Sequence, residues 1–347
     1  MYKIYENSQD NVQWFYSQYR QRIIDVIDFY LNGGSTNFTF SDKNKTRISL
    51  KLDATSVTRD FLNDLKSGLL EKLICGNFEE LKAILYDVYN RNQTCFIKLN
   101  VDKLKNFYSK KRLGTFTYLD DFHAITYDIF VNRLYESELN KTEFVKKLNL
   151  KICPYCGINF IPVLRKGNYN IKPEIDHFFP KSDFPILAFS FYNLIPCCHD
   201  CNHKSLKGNN SPINMSNNEL YLMSPYKFET EKLRFEIRSK NYNYFNEEDY
   251  LVDLKCDGSF DKGYNEYLGL TMRYSVHKYI IKDLLVLYLG YNKDSVDYYN
   301  GLNIPDDFRD LYIKTLFGYQ SPENDSLVPL AKFKRDIYSF INQLLKL

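Results

Sequence analysis

The 347-residue chain has no apolar run near the ~20 residues that a membrane-spanning helix needs. Its richest stretch, Tyr279 to Leu289, is broken by Lys282 and Asp283. The opening MYKIYENSQDNVQW lacks the apolar core of a secretory signal. Low-complexity tracts are also missing, which with the composition excludes disordered and collagen-like chains, and there is no internal repeat or linker long enough to separate free domains. With 44% apolar and 26% charged residues, what remains is a globular chain of two or three packed units, expected in the cytoplasm and without a membrane partner. Glycine is scarce at 14 and tryptophan single, beside 30 Tyr and 26 Phe. This excess is read as AT-biased coding rather than as a set of base-stacking platforms.

Periodicity predicts helices in the first 150 residues. Val12, Phe15, Tyr19, Ile23, Val26, Ile27 and Tyr30 recur at helical spacing until Gly33 and Gly34 stop them. Arg47 to Leu52 alternates like a strand. One helix is expected from about Ser56 to Gly76, and another from Asn77, whose Glu80 three residues on makes a capping box, to about Asn90. Further helices are expected at 118–137, 142–149, 264–289, 306–317 and 328–345, with a strand at Arg234–Arg238. The expected fold class is α+β, mostly α. A helical region (1–150) and a mainly helical one (211–347) flank a small cysteine-rich core (151–210).

Net charge is only +3, too small to name a partner, but it is not evenly spread. Residues 151–210 carry seven basic and four acidic side chains, so the remainder sums to zero. A second basic stretch, Lys103 to Arg112, reads as a charged helix face. His123 and His277 fall in helical patterns and read as packed or surface residues rather than ligands.

Five of the eight cysteines lie between Cys153 and Cys201. In a reducing compartment, clustered thiols point to metal rather than to disulfides. Cys153-Pro154-Tyr155-Cys156 and Cys198-His199-Asp200-Cys201 are two C-x-x-C pairs, 41 residues apart. Each can supply two vertices of a tetrahedron, so together they predict a structural four-sulfur zinc site. Cys197 and His199 could substitute for Cys198, but only Cys198 keeps the two-residue spacer.

Between the pairs stand Glu174-Ile175-Asp176-His177-Phe178-Phe179-Pro180-Lys181 and Asn193-Leu194-Ile195-Pro196, followed by Cys201-Asn202-His203-Lys204. Here the chain resembles the HNH, or His-Me finger, endonucleases, and among them the zinc-knuckle subset, over about residues 151–210. The resemblance implies a ββα-metal core in which His177 is the general base for phosphodiester hydrolysis. Asp176 and Asn202 would hold a catalytic Mg2+ or Mn2+, and Asn193 would orient the catalytic histidine. The family often continues C-N-x-x-K-G; here the lysine and glycine, Lys207 and Gly208, arrive two positions late, so His203 stands as an alternative ligand to Asn202. Lys181, Lys204 and Lys207 are expected to contact phosphates.

The expected function is divalent-metal-dependent cleavage of DNA. The rival expectation is a zinc-stabilised nucleic-acid-binding module that does not cut. The run Phe184 to Ala188, with Tyr192 to Pro196 and Ser224-Pro225-Tyr226, is similar to bacterial HNH proteins of anti-phage defence systems, including Septu-type ones paired with an ATPase. That likeness implies an ATPase partner. A restriction or mobile-element nuclease fits the same residues.

Overall fold

The computed structural model describes residues 1–4, 8–41, 47–91, 121–167, 169–290, 322 and 325–345. The expected helix at 306–317 and the basic stretch 103–112 lie outside them. The fold is mixed α+β, with helices and small two-stranded sheets. Among the described residues no helix is long and apolar enough to cross a membrane.

The chain divides into two compact units, and the division departs from three consecutive regions. One unit holds Glu6–Leu148 with Ile175–Ile195; the other holds Met1–Tyr5, Asn149–Glu174 and Pro196–Leu347. The expected central core is thus shared out between them.

In the first unit, α1 (Ser8–Leu31) buries Phe15, Ile23, Val26, Ile27 and Tyr30 on one face, as their spacing requires. Strands β1 (Ser35–Ser41) and β2 (Arg47–Asp53) form an antiparallel hairpin. Next come α2 (Ser56–Asp64) and α3 (Leu70–Cys75), joined through a wider π turn at Leu65–Leu69. Helix α4 (Phe78–Arg91) starts on the expected capping box. The Asn77 amide donates to Glu80 Oε2 (2.8 Å), while Asn77 Oδ1 accepts from the amides of Glu79 (3.0 Å) and Glu80 (3.2 Å). Helix α5 (Asp121–Tyr127) continues as a π-helical stretch, Asp128–Glu136, and α6 (Lys141–Leu148) completes the helical part.

The segment 175–195 joins this unit through aromatic rings. Phe189 and Phe191 lie 5.2 and 5.7 Å from the Phe15 ring, and Phe179 stacks on Phe78 at 5.6 Å. Ser190 Oγ donates to the Leu73 carbonyl at 2.5 Å. Phe178, Phe179, Phe184, Phe189 and Phe191 are all buried. Whatever the codon bias, these phenylalanines work as core.

In the second unit, β3 (Leu164–Lys166) pairs with β4 (Tyr169–Ile171). Strands β5 (Glu174–His177) and β6 (Leu194–Cys197) form a two-stranded sheet, and the chain passes from unit to unit within them. The short helix α7 (His199–Asn202) follows, then the two-residue strands β7 (Ile213–Asn214) and β8 (Glu219–Leu220). The expected strand at Arg234–Arg238 is β9 (Leu233–Ser239); its antiparallel partner, β10 (Tyr250–Cys256), makes a hairpin in a region expected to be mainly helical. Both strands bury alternate residues, and Phe235 packs against Tyr274 (4.2 Å) and Phe333 (5.1 Å).

The single helix expected at 264–289 is interrupted. Gly269, at φ 59° in the left-handed region, starts α8 (Leu270–Ser275), and α9 (Tyr279–Gly290) follows after a turn. Helix α10 (Ala331–Leu345) closes the described chain.

Candidate metal centre and candidate active site

The two C-x-x-C segments form two tight turns. After Cys156 the backbone turns through Gly157 at φ 67°, its amide donates to the Cys153 carbonyl (2.8 Å), and the Ile158 amide donates to Cys156 Sγ (3.4 Å). A Cβ on Gly157 would meet backbone at 2.2 Å, so side chains are excluded there by space as well as by φ. The second turn is α7, entered from Cys198. Asn159 ties the two turns together by donating to Asp200 Oδ2 at 2.8 Å.

The sulfurs of Cys153, Cys156, Cys198 and Cys201 lie within 4.8 Å of one another, all buried. None is in a disulfide, and Cys156 and Cys198 are 4.0 Å apart at Sγ. Tetrahedral zinc with bonds of about 2.3 Å holds its sulfurs about 3.8 Å apart. The set therefore suits a metal ion such as zinc, and its soft sulfurs disfavour magnesium. Cys198, not Cys197, completes the cluster, as the spacer requires; His199 turns to Glu174 instead.

Thiols packed this closely cannot share one ionisation state. Hydrogen bonds from Cys153, Cys198 and Cys201 hold Cys156 well below the ordinary cysteine value. Burial pushes Cys153 well above it. Two residues of α8 grip the cluster, one at each turn. Arg273 Nη1 donates to Cys201 Sγ (3.1 Å), with Nη2 3.7 Å from Asp200 Oδ2, and the Tyr274 hydroxyl donates to the Cys156 carbonyl (2.5 Å). Burial works to lower the Arg273 pKa, but the sulfurs of Cys201 and Cys156 outweigh it and raise it. A guanidinium in this place would offset the excess negative charge of four thiolates if they held a divalent ion.

Asp176 and His177 end β5 and are 3% and 6% exposed. His177 Nε2 lies 3.0 Å from the Ala188 carbonyl. A carbonyl only accepts, so Nε2 carries the proton and, in the neutral ring, Nδ1 is the basic nitrogen. The ring also meets Tyr135 edge-on at 4.3 Å. Asn193 is fully buried, and its amide is spent on the loop: Oδ1 accepts from the Phe179 amide (2.7 Å), while Nδ2 donates to the carbonyls of Phe179 (3.2 Å) and Leu187 (2.9 Å). The ring of His177 is thus oriented through Ala188, in the loop that Asn193 closes.

Asn202 and His203 belong to the other unit. Asn202 Nδ2 donates to Glu174 Oε2 (2.5 Å), and Glu174 Oε1 meets His199 Nδ1 at 2.6 Å. His203 Nδ1 pairs with Ser205 Oγ (2.7 Å). Lys204 is exposed. Lys181 is 30% exposed, bonded to Glu136 (2.7 Å) and poised over the Tyr135 ring (4.7 Å). Lys207 departs from expectation: it is fully buried, so its ammonium does not present itself to a phosphate, and its aliphatic stem packs inside the fold.

His123 behaves as a packed residue, with Nε2 2.9 Å from the Ser182 carbonyl. Glu174, Arg273 and Tyr135 join the sites without being candidates on sequence grounds. Glu174 had a signal, since it stands two positions before Asp176 and shares its strand face; Arg273, 72 residues beyond Cys201, had none.

No family model, curated protein or solved structure matches the chain.

Proposed function

We propose that the chain is a divalent-metal-dependent DNA endonuclease of the HNH type, with a structural zinc in its four-cysteine site. The observation that carries this reading is the setting of His177. A buried imidazole, its Nε2–H committed to the Ala188 carbonyl, keeps Nδ1 as a base beside Asp176 in the motif that resembles the family. In this role His177 takes a proton from the attacking water, and Asn193 holds the loop that aims the ring.

The carboxylate of Asp176 and the amide oxygen of Asn202 are each hard donors of the kind magnesium and manganese prefer, and it is the family resemblance that assigns them to the catalytic ion. Such an ion, when bound, supplies charge stabilisation to the phosphate and the leaving 3′-oxygen, which would give 5′-phosphate ends. His203, hydrogen-bonded to Ser205, is the weaker claimant to the same ligand role. Lys181 and Lys204 are the proposed phosphate contacts.

The near-complete burial of Asp176 and His177 favours one second reading, a zinc-stabilised module that binds nucleic acid without cutting it. Plasmid digestion in magnesium, manganese or EDTA, with His177→Ala alongside and DNA binding measured by mobility shift, separates the two. Cleavage lost with binding kept supports the enzyme; no cleavage by the native chain in either metal supports the binder. A place in anti-phage defence beside an ATPase rests on the family resemblance alone, and co-purification from the native host tests it.

A further inference from the structure

Glu174 has no part in the chemistry assigned so far, yet both oxygens of its carboxylate are engaged. One oxygen meets His199 Nδ1 at 2.6 Å and the other accepts from Asn202 Nδ2 at 2.5 Å. Both partners sit on α7, the short helix that also carries Cys201. A carboxylate is an acceptor only, so the face that Asn202 turns toward Glu174 must be its NH2 group. The amide is planar; fixing its nitrogen fixes its oxygen on the opposite corner. Left alone, an asparagine on a four-residue helix could flip its amide at little cost, presenting N–H where a cation needs a lone pair.

We propose that Glu174 is a positioning residue for the catalytic cation. It locks the Asn202 amide with Oδ1 turned outward as a ligand, and His199, held on the other oxygen, keeps the carboxylate from swinging into that ligand role itself. This inference rests on the nuclease reading, in which Asn202 holds magnesium or manganese. Its chemistry is that of an outer partner that orients a ligand, whose loss typically lowers metal affinity by about ten- to a hundredfold.

The test is Mn2+ binding to the zinc-loaded full chain, followed by the loss of the free-ion electron paramagnetic resonance signal, with no nucleic acid present. Asn202→Ala sets the floor. Glu174→Ala should weaken binding about ten- to a hundredfold while zinc content and thermal midpoint stay as in the native chain. Glu174→Gln should stay within about threefold of native, because its amide oxygen still accepts from Asn202 and its NH2 can donate to a neutral His199.

Native-level binding by Glu174→Ala overturns the proposal. So does a Gln variant as weak as the Ala one, since the carboxylate charge would then be a ligand in its own right, and so does a native chain that takes up no Mn2+. The nuclease reading fails separately: Mn2+ bound as described, with no cleavage by the native chain, would remove the enzyme and leave the role of Glu174 standing.

Discussion

Replacing Asn193 with alanine tests whether this residue serves the loop or the chemistry. The substitution removes three hydrogen bonds at once, from the Phe179 amide and to the carbonyls of Phe179 and Leu187. Phe179 and Leu187 are 1% and 0% exposed, so water cannot take the place of the lost partner. Each bond is worth about 1 kcal/mol net, and an orphaned buried donor or acceptor costs about 1–3 kcal/mol. Carbonyls tolerate the loss better than the N–H, which puts the whole at about 3–5 kcal/mol, a large share of the ~5–15 kcal/mol of a typical domain. The only tryptophan, Trp14, lies in α1 of the same unit, so its fluorescence during urea unfolding reports on the correct part of the chain.

Asn193→Asp sharpens the test. It keeps an acceptor for the Phe179 amide but points a second acceptor at two carbonyls, and it buries a charge. The folded state would then hold a carboxyl with a raised pKa, binding a proton more tightly than the unfolded chain does. The variant should therefore gain stability relative to native as pH falls from neutrality toward the ordinary carboxylate range of ~4. An alanine variant that unfolds within about 1 kcal/mol of native, yet loses cleavage, would refute the argument and place Asn193 in the reaction instead.

Other substitutions probe the remaining anchors. Phe189→Ala should cost about 3–5 kcal/mol by the same Trp14 signal, because the ring packs on Phe15 and Tyr19 and is fully buried. Cys198→Ala should abolish the bound zinc measured by mass spectrometry and leave Asn149–Glu174 newly sensitive to protease, while Cys197→Ala should keep the metal. Arg273→Ala should speed zinc loss to a chelator about ten- to a hundredfold, and Arg273→Lys should restore only part of that, since one ammonium cannot reach both Cys201 and Asp200 as a guanidinium fork does.

Legibility in the sequence followed the range of the physics involved. The caps and faces of α1 and α4 depend on residues three and four apart, and they stand where periodicity and the Asn77–Glu80 pair put them. The four thiols were readable for a similar reason, because C-x-x-C is a local geometric unit and two such units imply each other. Long-range pairing was not readable. Strand β10 has an alternating pattern, but nothing near it announces that it must pair with β9 across a turn. The split of 151–210 between two units depends on Phe178, Phe189 and Phe191 finding Phe78 and Phe15, a match of shapes a hundred residues or more apart. The burial of Lys207 is not legible either, because sequence gives a lysine's charge and not the walls around it.

The two metals proposed for this chain would differ in what holds them, and chelation should separate them on that ground. Four buried sulfurs backed by Arg273 could hold a soft ion with folding energy behind it, and such an ion would leave slowly, its site collapsing as it did. A magnesium ion held as proposed, by a few hard oxygens, would be bound weakly with most of its waters in place and would exchange within the time of an assay. Brief EDTA should then stop cleavage in a way that magnesium alone reverses. Prolonged chelation should stop it in a way that needs zinc first and magnesium second. If magnesium alone restored full activity to protein stripped of zinc, the cysteine site would be dispensable for the folded state. The case for a metal-stapled nuclease would then lose its structural half while keeping His177.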